Sequence, residues 1–173
     1  MAKLGSFIME MRIRSEYIFS DRYVIDCKHL KASLIPKLNP VIVKRSEIMS
    51  TEAYRVKVKG FHVINAPGFI EKIVYILKSV LKEKIMNRIY IHNSYEELYE
   101  AIPKEVLPQE YGGDLPSCSK LSEQLKNYLK TEEANEIIEH SSKIVSNETK
   151  RSCIRFNEEY LGMPGSFKRL NVD

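Results

Sequence analysis

The sequence predicts an α/β fold, a largely parallel sheet covered by helices. Short β-branched and aromatic runs recur at 22–27 (RYVIDC), 56–64 and 88–92. Each is separated from the next by a segment long enough for a helix and with helical apolar spacing, the alternation that yields parallel neighbours. Beyond residue 118 only helical spacing remains (Leu121, Leu125, Leu129, Ile137, Ile138, Ile144), among many Ser, Lys and Glu.

Along the chain, residues 6–13 read as a short helix with Leu4, Phe7, Ile8 and Met11 toward one face. The run Arg22–Cys27 reads as a buried strand ending at Asp26. Pro36 and Pro40 fall in the first turns of the next segment, and Val41–Tyr54 carries helically spaced apolar residues. Val56, Val58, Phe61, Val63 and Ile64 make the second strand. Lys57 and Lys59 alternate with Val56 and Val58, giving one apolar and one basic face. Asn65 and Pro67 read as the start of a helix over Phe69–Lys84, with Asn65 as its cap. There Ile70, Ile73, Val74, Leu77, Val80 and Leu81 recur at three- and four-residue steps, with Lys72, Lys78, Lys82 and Lys84 on other faces. Arg88–His92 is the third strand. Ser94 to Ala101 is a short helix, with Ser94 and Glu97 as a capping box. Pro103, Pro108 and Gly112-Gly113 punctuate a connector, and residues 147–173 read as a polar tail.

Composition narrows function. The 173 residues are 43% hydrophobic and 29% charged, as expected of a globular chain able to bury a core. A net charge of +4 is too mild to imply nucleic acid. Cys27, Cys118 and Cys153 show no paired spacing, which implies free thiols and a reducing compartment. His29, His62, His92 and His140 share no ligand spacing, so no metal is expected, and no cofactor motif is present. Asp26, His62, Glu71 and His92 are candidates for acid–base work. None stands beside a nucleophile at a motif spacing; His62 and His92 read as structural strand histidines without an evident titratable partner. No run reaches a membrane span and no secretory pattern opens the chain, so a cytoplasmic protein with peripheral membrane contact is expected.

Residues 57–113 carry the most information. A basic strand, Asn65-x-Pro67, an amphipathic helix, a basic strand ending in His92, and Leu107-Pro108-x-Glu110-Tyr111-Gly112-Gly113 follow in order. The series resembles the second half of the CRAL-TRIO (Sec14-like) lipid-binding domain, in particular its tocopherol- and retinaldehyde-transfer branch. The resemblance runs from about residue 6 to 115, and GMPGSFKRLNVD is similar to tails of this branch. The family's Asp-Leu-x-Gly is replaced by Asp26-Cys27-Lys28-His29. The family's N-terminal helical bundle and first strands have no counterpart here. The resemblance therefore implies an incomplete CRAL-TRIO lipid domain over 1–115, followed by a helical extension and flexible tail over 116–173. Its uncovered sheet edge would favour association or poor solubility.

The resemblance also implies roles. Lys57, Lys59, Lys84 and Arg88 match positions that grip a phosphoinositide headgroup; four such cations near an anionic surface are worth about 4 kcal/mol. Phe69, Ile73 and Ile76 match positions where a mobile gate helix meets the bilayer. Ile25, Leu38, Met49, Tyr54, Val56, Val58 and Phe61 match residues lining a lipid pocket. Within this set Tyr54 alone offers a polar tip, for the hydroxyl or aldehyde of a tocopherol- or retinoid-like ligand. The implied activity is binding and intermembrane transfer of a small hydrophobic lipid, without covalent chemistry. The alternative is a membrane or protein adaptor derived from the same fold, with an incomplete pocket.

Overall fold

The computed structural model describes residues 2–15, 20–145 and 147. Cys153, the tail from 148 onward and the side chain of Leu4 lie outside the described residues. Helix α1 (Ala2–Ser15) leads to strand β1 (Asp21–Asp26). A 3₁₀ turn (Ala32–Lys37) and helix α2 (Pro40–Ile48) follow, the latter continued by a π-helical turn over Met49–Ala53. Asn39 caps α2 by accepting from Val41 N–H at 2.9 Å, and Pro40 takes the first helical position. Strand β2 (Val58–Ile64), helix α3 (Ile70–Lys78), helix α4 (Glu83–Met86), strand β3 (Ile89–Ile91) and helix α5 (Tyr95–Ala101) complete the layer. After a connector with two 3₁₀ turns come α6 (Cys118–Tyr128) and α7 (Glu132–Lys143), capped by Ser117 and Thr131.

The strands form a three-stranded, wholly parallel sheet in the order β1-β2-β3. Asp21 pairs with Val58 but Arg22 pairs with Gly60, so Lys59 is one extra residue in β2. This bulge shifts the alternation. Below it Val56 and Val58 face the same way as Phe61 and Tyr23 above it, and these residues pack with Ile85, Tyr54, Leu81 and Met9. Tyr23 and Phe61 stack at 5.2 Å. On the opposite face Ile64 and Val24 meet Leu98, Ile102 and Leu107. That face also carries a ring ladder: His62 lies 5.2 Å from both Tyr90 and His92, nearly parallel to each. Gly60 makes room for it, because a Cβ there would lie 2.6 Å from His62 Nε2.

Three expectations are corrected. The run at 22–27 is not a buried strand. It is a sheet edge, with Ile25 42% exposed and only Asp21 and Cys27 buried. Asn65 does not cap the next helix. It sits at φ 51 in a left-handed turn that aims its amide back across the sheet, where it donates to Asp26 at 2.9 Å. The helix then starts at Ile70, with Phe69 at its cap position making no side-chain bond. The expected helix Phe69–Lys84 is broken in two. Lys82 is extended (ψ 141) because its main-chain N–H donates to Glu47 Oε1 at 3.2 Å, and α4 begins afresh behind it.

Helix α1 is fastened to the edge strand by Arg12, whose guanidinium forms paired bonds of 2.9 and 3.0 Å to Asp21. The guanidinium holds the Asp21 carboxyl below its ordinary pKa. Helix α7 lies against α1, with Arg14 Nη2 and His140 Nδ1 3.1 Å apart.

Candidate functional site

The expected cations lie at the start of β2 and on the α4 turn that bonds to it. Lys57 immediately precedes the strand and Lys59 is its bulged residue; both are exposed. The α4 turn sits against them because the Arg88 guanidinium donates to the Val58 carbonyl, while Phe61 N–H donates to the Arg88 carbonyl at 2.7 Å. Lys84 is exposed on α4, one turn before Arg88. Arg88 is therefore half-buried and partly engaged, whereas the three lysines stand in solvent. The chemistry available is attraction of a multiply charged anion to a ridge built on fixed backbone.

The apolar positions divide into two groups. Tyr54, Val56, Val58 and Phe61 pack together with Ile85 and Leu81. The Tyr54 hydroxyl donates to Glu10 at 2.8 Å, and burial together with that carboxylate pushes its pKa up to about 12. Ile25, Leu38 and Met49 stand outside this cluster. Ile25 lies in a row with Val63 and Ile91 across the sheet.

That row leads to a groove. A solvent-open cavity of about 810 Å³ is bounded by α3, by Ile35 of the 3₁₀ turn and by Ile91 of β3. Val74, Tyr75 and Ile76 line it, with Glu71, Lys72 and Lys78 at its polar margins. Of the expected gate residues, Ile76 lines the groove; Ile73 is half-buried on the same helix and Phe69 sits at the helix start. No residue of α3 is buried, and Tyr75 is 77% exposed. Ile35, Val74 and Ile91 were not anticipated from the sequence. The β-branched alternation through Ile89 and Ile91 was the available signal for the last.

Behind α3 is a clamp that no motif announced. Glu47 is buried, its carboxylate bonded to Lys44 Nζ at 2.9 Å and to Lys82 N–H at 3.2 Å. It ties α2 to the break between α3 and α4. Lys82 Nζ adds a bond of 2.7 Å to Glu52.

The histidines are each other's titratable partner, correcting the expectation that neither has one. His62 Nδ1 and His92 Nε2 are 2.9 Å apart. Burial first, and then the charges of His92 and Arg22, hold the His62 pKa below its ordinary value. Among the described residues, no group of three or more His, Cys, Asp or Glu could hold a metal ion. Nor is any helix among them long and apolar enough to cross a membrane.

Comparison with known proteins gives these features a setting. Residues 2–113 match the family model described as CRAL/TRIO domain. The human "Alpha-tocopherol transfer protein-like" is 34% identical over 108 residues, covering 61% of this chain and 32% of that protein. The mouse protein of that name is 33% identical over the same length. Rat "Clavesin-1" is 32% identical over 94 residues, covering 54% of this chain and 27% of its own length. The chain thus spans about a third of the length of the curated relatives it matches.

Proposed function

This chain belongs to the CRAL/TRIO domain family, and from that premise we propose that it binds a small hydrophobic lipid of tocopherol- or retinoid-like character and carries it between membranes. One observation carries this reading. A groove of about 810 Å³ lies beside a helix, α3, that is rich in apolar residues yet buries none of them. Its volume falls within the range that holds small apolar ligands. Ile73, Ile76 and Phe69 are then the gate residues exchanged between ligand and bilayer. Ile25, Leu38 and Met49, with Tyr54, Val56, Val58 and Phe61 behind them, form the apolar wall. Lys57, Lys59, Lys84 and Arg88 dock the protein on a phosphoinositide-containing surface of the cytoplasmic leaflet. Residues 1–115 act as the lipid-binding unit and 116–173 as its extension. No covalent step is required. A free carboxylate or phosphate head inside the groove would have to be desolvated against mostly apolar walls, which selects for neutral ligands.

Organic extraction and mass spectrometry of the purified chain test the proposal. A neutral lipid should co-purify, and a fluorescent tocopherol analogue should compete with it. Preference for a free fatty acid or a whole phospholipid would overturn the ligand class.

A second reading is a non-transferring adaptor that keeps the basic ridge without cargo. It is favoured by the packing of Tyr54, Val56, Val58 and Phe61 against one another and by the openness of the groove. Liposome co-sedimentation without any extractable lipid is its signature.

A further inference from the structure

We infer that β1 is a docking edge for the β1 of a second copy of this chain, the two strands running antiparallel about Val24. The ladder to β2 uses one side of β1: Asp21 N–H donates to the Lys57 carbonyl at 3.0 Å and Cys27 N–H to the Ile64 carbonyl at 2.9 Å. By strand alternation Tyr23 and Ile25 face the same way. The N–H and C=O groups of Arg22, Val24 and Asp26 therefore point out of the sheet. Among the described residues they have no main-chain partner. Such a row is a template for another strand.

The sequence DRYVID fits itself. In an antiparallel pair, outward-facing residues oppose outward-facing residues and exchange both N–H···O bonds. With Val24 on the two-fold axis, Arg22 stands opposite Asp26 of the second copy, and Asp26 opposite the second copy's Arg22. Tyr23 stands opposite Ile25 on the other face. Opposite charges directly across a ladder stabilise it, as do aromatic–aliphatic pairs. Asp26 retains capacity for this: its two oxygens accept from Lys28 N–H, Asn65 and Tyr111, and a carboxylate offers about four lone-pair sites. Arg22, Ile25 and Asp26 are all exposed. The other edge does not match itself in this way. Strand β3 spans only Ile89–Ile91; Arg88 and His92 bond toward β2, so its outward main-chain groups are those of Ile89 and Ile91 alone, with no charged pair to set opposite each other. The β1 contact is isologous and closes at a dimer.

Sedimentation velocity and hydrogen exchange on the full chain test this. Wild type is expected to reach a dimer as concentration rises, with slow exchange at the amides of Arg22 and Asp26. Val24→Pro removes an N–H that the intramolecular ladder does not use, at an edge that tolerates proline. It should give a monomer with an unchanged far-ultraviolet spectrum. Arg22→Asp, at an exposed side chain, sets two carboxylates opposite each other at both ends. It should raise the dimer Kd by about tenfold or more. A wild-type monomer throughout, or a dimer that survives both substitutions, overturns the proposal. So does a monomer whose Arg22 and Asp26 amides are protected, because another segment of this chain would then cover the edge.

Discussion

Helices α3 and α5 lie over opposite faces of one small sheet, and the more apolar of the two is the less buried. Helix α3 reads IEKIVYILK, and its apolar residues are at most half-buried. Helix α5 reads YEELYEA, yet Leu98 is fully buried. Anchoring explains the difference. Helix α5 is capped by Ser94, which accepts from Glu97 N–H at 3.3 Å, while Glu97 reaches back to Asn93 N–H at 2.8 Å. The Tyr99 hydroxyl donates to the Tyr111 carbonyl at 2.7 Å, and Ile102 and Leu107 close over Leu98 from the connector. Gly113 allows that closure: a Cβ there would lie 1.9 Å from the Leu107 carbonyl oxygen. Helix α3 has no capping side chain at its start and is held at its far end through Glu47 and Lys82. Apolar content sets what a helix can bury; the connections at its ends decide whether it does.

The largest test of this contrast is truncation. Leu98→Ala should destabilise the chain by about 2–5 kcal/mol in urea unfolding, the range for a fully buried leucine. Ile73→Ala on α3 should fall well below that. Equal losses would erase the distinction between the faces. Next in size is surface charge. Neutralising Lys57, Lys59 and Lys84 together, each to Gln, should weaken binding to phosphoinositide liposomes by about 3 kcal/mol, or about a hundredfold. The urea midpoint should move little, because all three side chains are exposed. Arg88 is left in place in this variant because it holds the Val58 carbonyl. Retained co-sedimentation would detach the ridge from membrane docking.

Hydrogen exchange sharpens the contrast without mutation. Amides of α3 should exchange through local opening, below the global unfolding free energy, while those of α5 and β2 follow global unfolding. Glu47→Gln should speed exchange in α3 and α4 and leave α5 unchanged. Protection of α3 equal to that of β2 would mean a fixed core helix.

The smallest expected effect is in pH. The fold depresses the His62 pKa below 6.5. Between the unfolded and folded values the unfolded chain binds a proton that the folded chain does not, so stability falls as pH drops below about 6.5 and is fully present above it. Urea midpoints at pH 7.5 and 5.5 should differ for wild type, and His62→Phe should reduce the difference. An unchanged difference would assign it to another group.

The sequence made the α/β order, the three strands and the capped α5 legible, because each rests on local periodicity or on a cap. It could not reveal what depends on contacts across the chain. The helical spacing through Val80 and Leu81 suggested one helix to Lys84, and the break comes from a carboxylate 35 residues away. His62 and His92 are separated by 30 residues and meet only because β2 and β3 are in register. Asn65 is as good a cap by composition as it is a left-handed turn residue, and the position of Asp26 decided between them. In the proposed site, the four cations were legible from family spacing. The groove was not, because Ile35, Val74 and Ile91 come from three separate elements.

The bulge at Lys59 leaves a trace in the numbering itself: the apolar set 56, 58, 61 and 63 changes from even to odd. The extra residue keeps one face apolar across a break in the alternation. Position 59 should accept almost any polar side chain, since its side chain stands in solvent, and even its loss should leave the ladder in register. Deleting it would close the bulge, with Asp21 still opposite Val58 and Arg22 still opposite Gly60, and would keep Val56 and Val58 on the face of Phe61. What the extra residue encodes is a local bend and twist of the strand, not the facing of its apolar set.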